Sequence, residues 1–192
     1  MKVLGVILAG GKSSRMGQDK GLLELGGKSF VELISEKLDE IGADEIVIST
    51  SHLAYTKFSF SLVPDLISDI GPIGGLYAVM KSKQADYYFF ISCDSPMISV
   101  SILEKLLEQT KENGSATVCK IGDQLYPLVG CYHRSVFELI EKQIENKRYS
   151  LMKMLDVIRA KTLDLDANTS STLLNCNTPE DYKRLKDEPI NH

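Results

Sequence analysis

Val3-Leu4-Gly5-Val6-Ile7-Leu8-Ala9 runs straight into Gly10-Gly11-Lys12-Ser13-Ser14-Arg15-Met16-Gly17-Gln18-Asp19-Lys20, and this stretch decides the fold class. The first seven residues form a near-continuous apolar run. A strand covered on one face alternates apolar and polar residues, so an unbroken apolar run marks a central parallel strand buried on both faces. In an open α/β sheet, ligands bind beyond the carboxyl ends of such strands. Glycines there let the backbone approach a phosphate and leave N–H groups free to point at it. Lys12, Arg15 and Lys20 add three positive charges. Arginine can fork onto two phosphate oxygens, and lysine acts as a mobile point charge. The stretch from Leu8 to Lys20 therefore reads as a grip for the phosphates of a nucleoside triphosphate. A bare Gly-Gly would read as a flexible surface turn; three cations directly after a buried strand favour the grip.

Two familiar phosphate loops do not fit. A Walker A loop needs a glycine five positions before the Gly of Gly-Lys-Ser, and Val6 holds that place. Gly5 and Gly10 have the right separation, but Gly11 stands where the lysine should be. The Gly-x-Gly-x-x-Gly dinucleotide fingerprint also fails.

Outward from the loop, strand and helix patterns alternate. Ser29 and Glu32 have the spacing of a capping box, and Phe30, Leu33, Ile34, Leu38 and Ile41 recur with helical period up to Gly42. Strands are expected over residues 45–50, 59–63 and 87–92. Pro72 opens a helix running to about Lys83, since proline suits a first helical turn. An amphipathic helix over residues 99–113 stops at Gly114. Strands at 117–121 and 125–132 flank Gly122-Asp123, which predicts a hairpin. Helices at 135–146 and 150–158, a strand at 161–165 and a short helix beginning Pro179-Glu180-Asp181 after the cap Thr178 complete the chain. The pattern is α/β: a single Rossmann-like domain over residues 1–192, with a mostly parallel, mixed sheet and helices on both faces.

The chain has 192 residues, 43% hydrophobic and 25% charged, with a net charge of −4. The basic residues form no stripe, which argues against a nucleic-acid binder. No apolar run approaches the ~20 residues that cross a bilayer, so no membrane association is expected. The N-terminal run is too short, and wrongly followed, for a signal peptide. Cys93, Cys119, Cys131 and Cys176, like His52, His133 and His192, are too scattered for a zinc site. The cysteines are expected to be reduced and mostly buried, in a cytoplasmic protein.

Leu-Ala-Gly-Gly-x-Ser-x-Arg-Met-Gly-x-Asp-Lys resembles the signature of the molybdenum cofactor guanylyltransferases, part of a wider group of nucleotidyltransferases. Gly21-Leu22-Leu23-Glu24-Leu25, Pro64-Asp65, Gly71-Pro72-Ile73-Gly74-Gly75-Leu76, Cys93-Asp94-Ser95-Pro96 and Asn175-Cys176-Asn177-Thr178-Pro179-Glu180 extend the similarity nearly end to end. The resemblance implies a nucleotide-diphospho-sugar-transferase-like domain that moves GMP from GTP to the phosphate of molybdopterin, with Mg2+ and release of pyrophosphate. It implies nucleotide contacts at Leu8, Ala9, Gly10, Gly11 and Lys20, guanine recognition at Asp65, and contact with both nucleotide and magnesium at Asp94. Ser49 stands where the family often carries a nucleotide-contacting asparagine, and a hydroxyl offers fewer contacts than a carboxamide. The implied partners are GTP and a molybdopterin-type acceptor, with transient contact to other cofactor-biosynthesis or molybdoenzyme-maturation proteins, in a monomer or weak oligomer.

Read without the resemblance, these positions leave two readings open. Asp94 suits magnesium, which takes one or two carboxylates plus waters and phosphates; it equally suits a turn before Pro96. Asp65 can accept from the two adjacent donors of guanine, or be a solvated loop residue. Gly71–Gly75 offers free N–H groups at a helix start, or tight packing on the sheet. Asn175 and Asn177 face the second substrate or metal, or serve as caps. Tyr126-Pro127-Leu128 and Arg148 are weaker candidates for the pterin side.

The expected chemistry is in-line attack by the acceptor phosphate on the α-phosphorus. A phosphate monoester, with a second pKa near 6, needs no strong base at neutral pH. The catalytic candidates are Arg15, Lys20 and Asp94. The rival readings are a sister enzyme using CTP or another triphosphate, and a non-catalytic nucleotide-binding regulator.

Overall fold

The computed structural model describes residues 1–10, 19–166, 176 and 178–187. The opening run forms β1 (Val3–Leu8), buried at every position. A 3-10 turn at Lys20–Leu22 leads to β2 (Glu24–Leu25) and β3 (Lys28–Ser29), then α1 (Phe30–Glu40), β4 (Glu45–Ser49), a 3-10 turn at Leu53–Lys57, β5 (Ser61–Val63), α2 (Pro72–Ser82) and β6 (Tyr87–Ser92). There follow α3 (Val100–Asn113), β7 (Ala116–Ile121), β8 (Gln124–His133), a 3-10 turn at Arg134–Val136, α4 (Phe137–Glu145), α5 (Leu151–Val157), β9 (Lys161–Leu165) and α6 (Pro179–Asp187).

Seven strands form one sheet in the order β5-β4-β1-β6-β8-β7-β9. The pairs β5–β4, β4–β1, β1–β6 and β7–β9 are parallel, while β8 runs antiparallel to both β6 and β7. The mixed sheet expected from the hairpin is therefore present. From β1 the chain fills strands outward on one side, then returns to add β6 on the other, so the topological switch lies between β1 and β6, where open α/β sheets bind ligands.

The pleat of β1 explains its unbroken hydrophobicity. Leu4, Val6 and Leu8 pack in a core with Ile73 and Leu76 of α2, Ile140 of α4 and Met154 of α5. Val3 and Ile7 pack in the opposite core with Ile34 and Leu38 of α1 and Leu103 of α3. Leu4 and Ile7 have no exposed surface, and burying each contributes on the order of 2 kcal/mol. Gly5 lets α1 close onto the strand, because a Cβ there would lie 2.9 Å from Leu38 Cδ1.

The local signals hold where they rest on caps. Ser29 and Glu32 form both halves of a capping box. The Thr178 hydroxyl accepts from the Asp181 N–H at 3.1 Å, at the start of α6. Other bounds differ. The third strand starts at Ser61 and not at residue 59, because the 3-10 turn at Leu53–Lys57 delays its pairing. The helix expected from residue 135 begins as a 3-10 turn and becomes α-helical at Phe137. The short hairpin of β2 and β3 was not expected, although Gly26 and Gly27, with φ of 61° and 80°, supply the turn it needs.

The β7–β8 hairpin carries an irregularity that shapes the site. Val118 pairs with Gly130, but the next residue, Cys119, pairs with Tyr126. Pro127 lies in the skipped stretch and has no N–H to give to a ladder. The skip re-aims β8, as bulges beside active sites do.

Candidate active site

Register places the ends of four parallel strands at one level. Leu8 pairs with Ser49 on one side and Ser92 on the other, and Ser49 pairs with Val63. Above this edge lies a cavity of about 540 Å³, lined among others by Leu8, Gly10, Ser49, Asp65, Gly75 and Ser92. That volume lies in the range of ~300–1,000 Å³ usual for small-molecule sites.

Small residues form the cavity floor. A Cβ on Gly75 would stand 2.9 Å from Ser49 Oγ, 3.1 Å from a Leu8 methyl and 3.7 Å from Asp65 Oδ1. Gly75 is thus both a packing glycine and a lining residue; the two readings of the Gly71–Gly75 stretch meet in one position. Ser49 is buried. Asp65 is exposed as a residue, yet burial raises its carboxyl above the ordinary aspartate value. Asp69, with φ of 61°, lines the same cavity.

Asp94 follows β6 in a turn closed by backbone, with the Ser95 N–H donating to Ser92 O at 3.0 Å. The Cys93 N–H donates to Leu8 O at 3.0 Å, tying this turn to β1. The Asp94 carboxylate instead meets Lys20, whose Nζ lies 3.9 Å from Oδ2, with both side chains about one-fifth exposed (18% and 20%). The Asp94 carbonyl accepts from the Cys176 N–H at 2.8 Å, so Cys176 reaches this turn.

Asp94 also lines a second cavity of about 200 Å³ with Gln124, Leu125, Tyr126, Pro127 and Val129, and both cavities share Ser92 and Leu128. Tyr126, Pro127 and Leu128 thus all line this second cavity. Arg148, beyond α4, lines neither cavity.

The two ends of the glycine-rich loop rest on one segment, residues 49–55. At its start the Ala9 N–H donates to Ser49 O at 3.1 Å, and the Thr50 hydroxyl donates to Ala9 O at 3.2 Å. At its finish Asp19 caps the 3-10 turn at Lys20–Leu22, accepting from the Gly21 N–H at 3.3 Å. Asp19 Oδ1 also accepts from the Tyr55 hydroxyl, and Oδ2 lies 3.0 Å from His52 Nδ1. Tyr55 is fully buried. Nothing in the sequence announced His52 or Tyr55, because their approach to Asp19 spans more than thirty residues. Ser92 was equally missed, although its place at the end of a buried strand beside β1 was the signal for it.

All four cysteines are free and buried. Burial pushes the Cys93 thiol up to about 12 and Cys176 to about 11, so both stay protonated and neither is a nucleophile at neutral pH. Among the described residues no three His, Cys, Asp or Glu side chains gather as a metal-binding group. A lone Asp94 suits a hard cation that takes its other ligands from phosphates and water. No described helix is long and apolar enough to cross a membrane. The expectations for Gly11, Lys12, Arg15, Asn175 and Asn177 lie outside the described residues.

Comparison with known proteins agrees with this geometry. Residues 5–162 match the model of the MobA-like NTP transferase domain. A Flavobacterium johnsoniae protein named "Probable molybdenum cofactor guanylyltransferase" is 30% identical over 93% of this chain and 94% of its own. The Vibrio parahaemolyticus molybdenum cofactor guanylyltransferase is 31% identical over 94% of this chain and 93% of its own. The solved molybdopterin-guanine dinucleotide biosynthesis protein A of Archaeoglobus fulgidus superposes with a TM-score of 0.77, covering 96% of this chain and 97% of its own at 22% identity. That likeness carries the nucleotide-diphospho-sugar transferase fold. The match over residues 5–162 and the near full-length relatives at 30–31% identity place this chain in the MobA-like NTP transferase family, as a nucleotidyltransferase.

Proposed function

We propose that this enzyme transfers GMP from GTP to the terminal phosphate of molybdenum-molybdopterin, giving the guanine dinucleotide form and pyrophosphate. The supporting observation is that a nucleoside-sized cavity and a smaller one meet at Ser92 and Leu128, with Asp94 beside the junction. In this reading the larger cavity takes GTP and the smaller one takes the phosphate end of the acceptor. The names of the relatives favour guanine and the molybdenum cofactor over other triphosphates and acceptors.

The acceptor phosphate is already mostly ionised at neutral pH, so the work left is alignment and charge neutralisation. Leu8, Ala9, Gly10 and Gly11 bring backbone close to the triphosphate. Lys20, with Arg15, takes up charge on the departing pyrophosphate. Asp94 would hold Mg2+, which supplies charge neutralisation at the phosphates when bound. Ser49 and Gly75 leave room for the nucleoside. Asp65 accepts from the ring N–H and amino group of guanine.

The test is pyrophosphate release from each triphosphate with magnesium and molybdopterin-type acceptor. GTP alone is expected to support it. Release from CTP instead would replace this reading with the sister-enzyme one, and tight nucleotide binding without release would leave a regulator.

Asp65 carries its own prediction. Its raised carboxyl must ionise before it can accept from guanine, so acid protonates it and weakens binding. Affinity for GTP is expected to fall as the pH is lowered, starting at a higher pH than an ordinary aspartate would give. Asp65→Asn should remove that part of the pH dependence. Asp65→Ala should reduce preference for GTP over ATP by roughly ten- to a hundred-fold, since two hydrogen bonds to the base are lost. Titration calorimetry across pH checks both. Unchanged selectivity in the alanine variant would remove Asp65 from base recognition.

A further inference from the structure

The geometry points to Tyr55 as a positioning residue for turnover, holding Lys20 on station through Asp19. The inference rests on Lys20 acting in the reaction as proposed above.

Three observations carry it. First, the Tyr55 hydroxyl ends on Asp19, in the residue directly before Lys20. Tyr55 has no exposed surface, and its ring lies 6.1 Å from Phe58 and 6.2 Å from His52, so its hydroxyl is presented from a packed base. Second, Asp19 spends the same carboxyl oxygen on the Gly21 N–H, just beyond Lys20. One carboxylate thereby spans the lysine and sets the turn from which its side chain departs. Third, Tyr55 fits tightly against that turn: a Cβ on Gly21 would collide with the Tyr55 hydroxyl and stand 3.0 Å from Cε1. Only glycine lets the tyrosine come this close. The turn so fixed sends Lys20 to within 3.9 Å of Asp94.

Ring packing already encloses Tyr55, so what its hydroxyl adds at Asp19 is a fixed partner for the carboxylate beside Lys20. Its hydroxyl supplies direction: a charge-assisted bond is roughly twice as strong as a neutral one and fixes the carboxylate's plane. Shifts of about 1 Å in a charge-bearing group can cost up to a hundred-fold in rate. The segment that carries Tyr55 also holds Ala9 at the other end of the loop through Ser49 and Thr50. The loop's two ends are therefore referenced to one short piece of chain.

The experiment is a kinetic cycle on the full chain with GTP, magnesium and acceptor. Tyr55→Phe keeps the ring and removes the hydroxyl. It is expected to lower kcat roughly ten-fold while KM for GTP moves by less than about three-fold. In a Lys20→Ala background the same change is expected to have no further effect on kcat, because the group being positioned is gone. Asp19→Asn, which keeps an oxygen for Tyr55 and Gly21, should retain most activity, and Asp19→Ala, which also loses the Gly21 cap, should lose at least as much kcat as Tyr55→Phe. An equal loss from Tyr55→Phe in both backgrounds would make the residue merely structural and overturn the inference, as would a normal kcat in the single variant. Should Tyr55→Phe fail to fold, the Asp19→Ala and Asp19→Asn pair decides the matter in the same cycle. A Lys20→Ala enzyme with normal kcat would instead refute the role of Lys20 itself, a result plainly distinct from equal losses.

Discussion

Lys20→Ala is expected to lower kcat by roughly 10²–10³, with GTP affinity changed far less. The reasoning starts from where charge develops. In the proposed transfer the bond to pyrophosphate breaks, and negative charge accumulates on the leaving group. A cation already fixed beside that position stabilises the transition state more than the bound ground state. Lys20 meets this condition because it departs from a capped turn and lies 3.9 Å from Asp94. Lys20→Arg is expected to recover only part of the loss, since the guanidinium is larger and planar and cannot occupy the same point. Single-turnover rates with GTP and acceptor, set beside binding constants from calorimetry, separate the two quantities. If affinity falls while the single-turnover rate stays normal, Lys20 is a binding residue.

Asp94→Ala is expected to lower turnover by a similar factor, again roughly 10²–10³, and added magnesium should not restore it. Asp94 lies beside the junction of the two cavities and is the carboxylate closest in sequence to the end of β6. The turn that carries it is closed by backbone, so removing the carboxylate leaves the Ser95 N–H bond to Ser92 intact. The loss should therefore come with a small change in thermal stability. Turnover measured across a magnesium titration, with melting temperatures alongside, checks the claim. Near-normal turnover at saturating magnesium would end the metal assignment.

The sheet was legible because β1 declares itself. Leu4, Val6 and Leu8 on one face and Val3 and Ile7 on the other are all apolar, and that pattern has one common cause, burial on both sides. Ser29 with Glu32, and Thr178 with Asp181, were legible because a cap is a local event between residues three apart. Asp65, Asp94 and Lys20 drew notice through blocks of sequence, and the fold brings Asp65 to the larger cavity, Asp94 to its neighbour and Lys20 to within 3.9 Å of Asp94. Their shared edge follows from strand register, which depends on pairings such as Leu8 with Ser49 and with Ser92, more than forty positions apart. The same limit hid Tyr55 and His52. The skip in β8 was hidden for a different reason: Pro127 announces an interruption but not which residues are passed over.

The edge of the sheet is built from two kinds of chain reversal. One side stands on β5, β4, β1 and β6, where α1 leads from β1 to β4, the 3-10 turn at Leu53–Lys57 with its buried Tyr55 leads from β4 to β5, and α2 leads from β5 to β6. Lengthening or shortening any of these crossovers disturbs the interior. Its other side stands on β7 and β8, joined by the bare turn at Gly122-Asp123. Gly122, Asp123 and Gln124 at that turn are exposed, so residues can be added or exchanged there without repacking a helix. If the proposed reaction holds, the tip of this hairpin is the part of the site freest to change with the acceptor, and a chimera that swaps only residues 122–127, keeping Leu128 in the larger cavity, should keep its nucleotide preference while changing what it modifies.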